Sequence, residues 1–440
     1  MAHRIGVPDH CTAITGGPIV VIVAPTTAAE SMSPTIAAES MSPTAVLLES
    51  VTELMLSNRC LRSTSGPGPR ILCPHNIDFI FPNDEPPFDS SSDDDEMELT
   101  LAIAIEELKN EGASTSRRHS VQPHRFIWRN PLQGHDRLFH DYFVETPVYP
   151  PNVFRRRFQM SCSLFLCIHS RVKATEPYFV KKRNAANTLG LSSLQKMTAA
   201  IRMLAYGVLA DFMDEYIRIG ETTAIKSLKK FVKAVVSIFS EEYLRSPNNN
   251  DIVRLFAIGQ HRGFPGMLGS IDCMHWKWKN CPSKWKGQYI GHTRDPTIIL
   301  EIVASYDLWI WHAFFGLPGS HNDINVLGRS SIFSELAEGR APLVNYSING
   351  NNYSIRYYLA DGIYPSWATF VKTIPAPQDR KRQHFASTQK AIRKDVEHAY
   401  GVLQARFAIA RGPTRFFHLE MLKDIMMACI ILHNMIVEDE

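Results

Sequence analysis

GSIDCMH at 269–275, read together with RKDVEHAYGVLQARF at 393–407, decides the fold of this 440-residue chain. Within the stretch they bound, four acids stand beside segments of strand, turn or helix character: Asp272, Asp323, Asp361 and Glu397. LGSID at 268–272 and YYLAD at 357–361 each end an apolar run in an acid. A strand end of this kind holds the backbone rigidly while the carboxylate stays outside the core. SHND at 320–323 follows a strand-like run and a PGS turn. Glu397 lies on a segment with Ile392, Val396, Ala399, Val402 and Leu403 spaced along one helix face. Carboxylates drawn together repel strongly unless cations neutralise them. Hard oxygen ligands suit Mg²⁺ or Mn²⁺, and two such ions could support phosphodiester cleavage. Ordinary turn acids and a salt-bridged helix glutamate would give the same pattern, so the pattern alone leaves both readings open.

Longer motifs narrow the choice. GSIDCMHWKWKNCP, PTIILEIVASYDLWIWHAFFGLPGSHNDINVLGRSSIF, YYLADGIYPSWATFVKTIP, RKDVEHAYGVLQARFAIARGP and CIILHNMIVEDE resemble the plant PIF/Harbinger transposases and their domesticated, nuclease-like descendants. The likeness extends upstream through GHDRLFHDYF, VFRRRFQM, SLQKMTAAIRMLAYG and RGFPGMLG. It implies an α/β fold with an RNase H-like DDE catalytic domain, a catalytic triad of Asp272, Asp323 and Glu397, and Mg²⁺ or Mn²⁺ as cofactor. RNase H-like chain order would instead set Asp361 beside Asp272, making Asp361 a fourth metal ligand or a supporting acid. The resemblance also implies that His275 neighbours the site and that Arg393 and Glu397 form an R-x₃-E pair one helical turn apart. The next basic position of that pattern is Gln404 here, a departure that removes a phosphate-positioning charge. DNA is the implied partner, with a separate Myb-like DNA-binding protein, and the nucleus the implied location, with the cytoplasm as a second compartment. Two functions follow: metal-dependent DNA cleavage, or a catalytically silent domesticated protein working in a chromatin complex.

Length and composition set the frame. The chain has room for two domains of ordinary size. Lys+Arg 47 against Asp+Glu 44 leaves a net charge of only +3, so nucleic-acid binding must use local patches. Eight dispersed cysteines form neither a disulfide framework nor paired CxxC zinc motifs, which fits a reducing compartment. GGPIVVIVAP is too short to span a bilayer, and no membrane is expected. PTTAAESMSPTIAAESMSPTAV at 25–46 repeats a nine-residue unit and reads as low-complexity sequence. Acids 93–96 precede a helix expected at about 97–112. The organisation expected is a largely disordered region at 1–120, a helical DNA-binding domain at 121–262 and an RNase H-like nuclease domain at 263–440.

Basic residues suggest the DNA-facing surfaces. Arg155, Arg156 and Arg157 form either a phosphate-contacting patch or a plain charged helix surface. Ser193 is placed to cap a helix through LQKMTAAIRMLAYG, and Thr222 or Thr223 to cap AIKSLKKFVKAVVSIF. The second helix would carry Lys226, Lys229, Lys230 and Lys233 outward, and the two could form a helix-turn-helix or an ordinary helical hairpin. After Asp272, Trp276, Trp278 and Trp285 alternate with Lys277, Lys279, Lys284 and Lys286. Such a loop could stack bases and contact phosphate, or pack inward with its lysine stems in water. PTIILEIVASYD and LWIWHAFFG form a strand pair reversing at Asp307 and Leu308, and QDRKRQHF reads as a phosphate-facing loop. LEMLKDIMMACIILHNMIV is a helical strut in which His433 and Asn434 have structural roles.

Overall fold

The computed structural model describes residues 127–183, 189–330 and 344–440. The readings placed on 1–126, including the repeats, the disorder and the helix at 97–112, lie outside the described residues.

The centre of the sheet is built where apolar residues run unbroken. TIILEIVA forms β2 (Thr297–Ala304), buried at every position. On one side it pairs antiparallel with β1 (Met267–Lys277), on the other with β3 (Ile310–Pro318). The reversal between β2 and β3 falls where expected, with Leu308 left-handed at φ 68°. Two shorter strands, β6 (Tyr357–Ala360) and β7 (Phe370–Lys372), continue the sheet in parallel with β1, giving the order β3-β2-β1-β6-β7. A hairpin of β4 (Tyr346–Ile348) and β5 (Asn351–Tyr353) precedes β6. Its turn is Asn349-Gly350, both at positive φ, the pairing a two-residue hairpin requires. β1 and β2 approach closely at Gly269, where a Cβ would lie 2.4 Å from the Ala304 carbonyl oxygen.

One expectation changes here. β1 does not end at Asp272 but runs on to Lys277, paired with β2 all the way to Thr297. The first part of the stretch read as a loop, through Lys277, is therefore strand.

Helices come before, between and after the strands. The first seven are α1 (Pro131–Tyr142), α2 (Pro151–Phe158), α3 (Cys162–Thr175), α4 (Ser193–Tyr206), α5 (Phe212–Ile217), α6 (Glu221–Tyr243) and α7 (Asn249–His261). Ser192, not Ser193, caps α4: its Oγ accepts from the Gln195 amide at 3.2 Å while Gln195 Oε1 accepts from the Ser192 amide at 3.0 Å. Gln195 Nε2 then donates to the Pro131 and Ile217 carbonyls, tying α1 and α5 to α4. α6 begins at Glu221 behind Gly220, ahead of both threonines expected to cap it.

The two helices considered for a helix-turn-helix are not joined by a simple turn: α5 intervenes between α4 and α6, and α6 packs along α4 and the last helix of the chain.

Between β1 and β2 lies the short α8 (Lys286–Tyr289), and α9 (Asp323–Leu327) follows β3. α10 (Arg380–Arg406) packs on β1, β2 and β6. It starts inside QDRKRQHF, capped by Asp379, so most of that expected loop is helix. α11 (Leu419–Asp439) packs on α6 and β3. Asn434 on α11 accepts from the Ile310 amide at 2.9 Å and donates to the Ile310 and Tyr243 carbonyls. Its amide group thus completes the start of edge strand β3, while His433 contacts the Leu308 carbonyl oxygen at 2.8 Å. A helical part followed by a mixed sheet with flanking helices is consistent with an RNase H-like architecture. Arg129–Glu440 lie within one compact unit. Among the described residues no helix is long and apolar enough to cross a membrane.

Candidate active site

The sheet order brings the acids of distant sequence toward one another. Asp272 lies in central strand β1, and β6 runs parallel beside it with Ser270 opposite Leu359. Asp272 lies two residues beyond Ser270, and Asp361, two beyond Leu359, directly follows β6. Asp323 opens α9 after the edge strand, and Glu397 lies on α10 where that helix crosses the sheet. Asp361 Oδ1 accepts from the Ile363 amide at 2.6 Å, which fixes the turn that carries it.

Electrostatics couples these groups. Burial pushes the Asp272 carboxyl up to about 6; the Cys273 amide and Arg393 oppose the rise, while Asp323 and Glu397 add to it. Asp323 is raised as well, first by burial, with Asp361 and Glu301 adding to the rise and a Cys273 hydrogen bond opposing it. His275 is lowered by burial and by His292, so the neutral imidazole is favoured. Its Nδ1 lies 3.1 Å from Thr297 Oγ1.

Direct contacts divide the acids. Arg393 lies 3.4 Å from Asp272 and 2.9 Å from Glu397, bridging the two. Among the described residues Asp323 has no such ion pair; beside it, Cys273 Sγ sits 3.6 Å from Tyr364 Oη and opposes the rise in the Asp323 pKa. Tyr400 donates to the backbone carbonyls of Asp272 and Leu300, pinning α10 to β1 and β2. Gln404, standing where the resemblance expects a basic residue, contacts Met274 Sδ at 2.9 Å.

The all-oxygen donor set suits Mg²⁺ or Mn²⁺ in its chemistry. Its spacing does not: among the described residues no three His, Cys, Asp or Glu side chains are grouped to hold a metal ion. The charge of Asp272 and Glu397 is partly offset by the Arg393 guanidinium.

Several expected DNA contacts have other occupations. Trp276 and Trp278 are buried, with indole N–H groups donating to the Gly412 and Phe416 carbonyls at 2.9 Å each. They pack near Phe315 and Tyr289 and offer no ring face to a base. The lysines between and beyond them, Lys277, Lys279, Lys284 and Lys286, are exposed, as in the inward-packing alternative. Lys277 pairs with Asp295 at 2.8 Å. Arg155 pairs with Glu440, and Arg157 bonds Tyr142 and lies over the Tyr149 ring; Arg155 and Arg156 are exposed and Arg157 is half-buried. On α6, Lys226 and Lys233 are exposed, whereas Lys229 and Lys230 are half-buried and Lys230 approaches Glu176.

The sequence reading passed over Glu301, fully buried in β2. Its signal was plain: one charge in the otherwise apolar run TIILEIVA.

Residues 241–440 match a family described as plant transposon protein, and residues 134–173 match a domain of unknown function. Protein ALP1-like of Arabidopsis thaliana is 22% identical over 302 residues, covering 66% of this chain and 72% of that protein. No solved structure matches the chain. The plant transposon match and the Arabidopsis relative together point to a transposase-derived superfamily of the PIF/Harbinger type.

Proposed function

We propose that this chain is a domesticated transposase-type protein that retains a nuclease-like cleft and acts in a nuclear, chromatin-associated complex without cutting DNA. The observation that supports this reading is Arg393, whose guanidinium holds Asp272 and Glu397 as an internal cation. An acid pair partly neutralised from within gains less from a metal ion than one left bare. The exposed lysines after Asp272 supply local positive charge for DNA, and a Myb-like protein would supply sequence recognition.

A second reading, metal-dependent DNA endonuclease, is favoured by the coupling of Asp272 to Asp323 and Glu397 and of Asp323 to Asp361. Under it these four acids would share Mg²⁺ or Mn²⁺, and Arg393 would have to give way.

The deciding experiment incubates the purified full chain with transposon-end DNA and Mg²⁺ or Mn²⁺, alone and with a Myb-like partner. In parallel, the chain and its Asp272→Ala and Glu397→Ala variants are recovered from nuclear chromatin. The first reading expects no cleavage and equal recovery of all three. Cleavage abolished by either substitution would replace it with the second.

A further inference from the structure

Glu301 is fully buried in β2, and neither of its carboxylate oxygens accepts a hydrogen bond within the described residues. A buried carboxylate so placed is costly unless a neighbour compensates it. His312 on β3 lies against it, with Nε2 3.4 Å from Glu301 Oε1, an ion pair when the imidazole is protonated. The two are diagonal neighbours, since Glu301 pairs with Phe314 and His312 with Val303. The same Nε2 lies 2.9 Å from Ser330 Oγ. Ser330 is itself buried, and its amide donates to the Val326 and Leu327 carbonyls at 3.0 and 3.3 Å, closing the C-terminal end of α9.

α9 has five residues, and the first is Asp323. A helix of that length has no stability of its own, so its ends decide where it sits. At the other end, the Gly319 amide donates to the Thr297 carbonyl at 2.8 Å, and a Cβ on Gly319 would fall 1.8 Å from Thr297 Oγ1. Thr297 and Glu301 are four apart on β2 and therefore on one face of the sheet. β2 thus meets the chain on both sides of the helix that carries Asp323: Thr297 at Gly319 before it, and Glu301, by way of His312, at Ser330 after it.

We infer that Glu301 is a positioning residue of the acidic cleft, acting through His312 and Ser330 to hold α9 and, with it, Asp323 in place. This holds whether or not the cleft cleaves DNA, so its failure is distinguishable from failure of either functional reading.

The test compares Glu301→Gln, Ser330→Ala and the double variant in the full chain. It reads amide hydrogen exchange across the chain and the ¹³C carboxyl signal of Asp323. Each single variant is expected to speed exchange at Val326, Gly328, Arg329 and Ser330 by about tenfold or more while the β1–β2 ladder stays protected. Ser330→Ala, which changes no charge, is expected to move the Asp323 signal. The double variant should go no further than the stronger single, because both act through one connection. Should Glu301→Gln fail to fold, Ser330→Ala alone carries the test. Unchanged exchange at α9 with an unmoved Asp323 signal, or a uniform rise over the whole sheet, would overturn the inference.

Discussion

The Arg393 guanidinium lies 3.4 Å from the Asp272 carboxylate while bonding Glu397 from one helical turn away on α10. Two acids from separate elements are thereby held by one cation that the chain itself provides. Arg393→Gln removes that charge and leaves the carboxylates facing each other. The variant is expected to bind Mn²⁺ at least about tenfold more tightly than the parent, because the ion then relieves a repulsion the guanidinium no longer relieves. Manganese EPR titration measures this, and equal affinities would show that Arg393 does not hold the place of an ion.

Asp272 also sets a pH dependence. Its carboxyl titrates at about 6 in the folded chain against an ordinary 3.8. Between those values the folded state keeps a proton that the unfolded chain has released, so stability falls as pH rises through this window. The difference corresponds to roughly 3 kcal/mol. Asp272→Asn, a stand-in for the neutral acid, removes this dependence, and the shift already includes the attraction of Arg393. The variant is expected to exceed the parent by up to about 3 kcal/mol above pH 6, with the advantage gone below pH 4. Urea denaturation across that range checks it; a constant offset at every pH would contradict the assignment.

Much of this was legible in the sequence, for physical reasons that differ by element. β2 announced itself because a strand covered on both faces needs an unbroken apolar run. The Leu308 reversal and the acid that ends YYLAD were read the same way. Asp272 misled because an acid after LGSI looks like a strand end, whereas β1 continues through Trp276 to Lys277, and the buried indoles of Trp276 and the following Trp278 are satisfied by carbonyls more than a hundred residues away. Aromatic residues alternating with lysines fit an exposed loop or a strand with one face buried, and only the partner segment at 412–416 decides. The hairpin at Asn349-Gly350 carried its turn signal openly. The α4–α6 pair did not reveal α5, because six residues with Pro-free, mixed composition resemble a loop.

Burial of the indoles gives a third expectation. Trp276→Ala and Trp278→Ala should each cost about 3–5 kcal/mol of folding stability, the range for removing a large aromatic side chain from a core. Replacing Lys277, Lys279, Lys284 and Lys286 by Ala should change stability by no more than about 0.5 kcal/mol each. DNA affinity should respond in the opposite order: the lysine variants lower the salt dependence of binding, and a folded Trp278→Phe leaves it unchanged. Denaturation and salt-titrated binding together separate the two effects. A large affinity loss in folded Trp278→Phe would restore a direct role for the ring.

Asn434 offers the sharpest test of how the helical part supports the sheet. Its side chain is fully buried and serves three backbone groups: the Ile310 amide, the Ile310 carbonyl and the Tyr243 carbonyl. Asn434→Leu keeps the volume but strands all three, and each buried orphan costs on the order of 1–3 kcal/mol. Relaxation and water entry at the edge strand recover part of that, so a net loss of about 3 kcal/mol is expected. Asn434→Asp can still accept from the Ile310 amide but cannot donate to either carbonyl, and it buries a charge besides. It should therefore destabilise at neutral pH at least as much as Asn434→Leu, and less at low pH, where the protonated acid can donate to one carbonyl. Hydrogen exchange locates the effect: protection should fall first at Ile310 and the end of α6 near Tyr243, ahead of β1 and β6. Loss spread evenly over the sheet would mean that Asn434 merely fills space between α11 and β3.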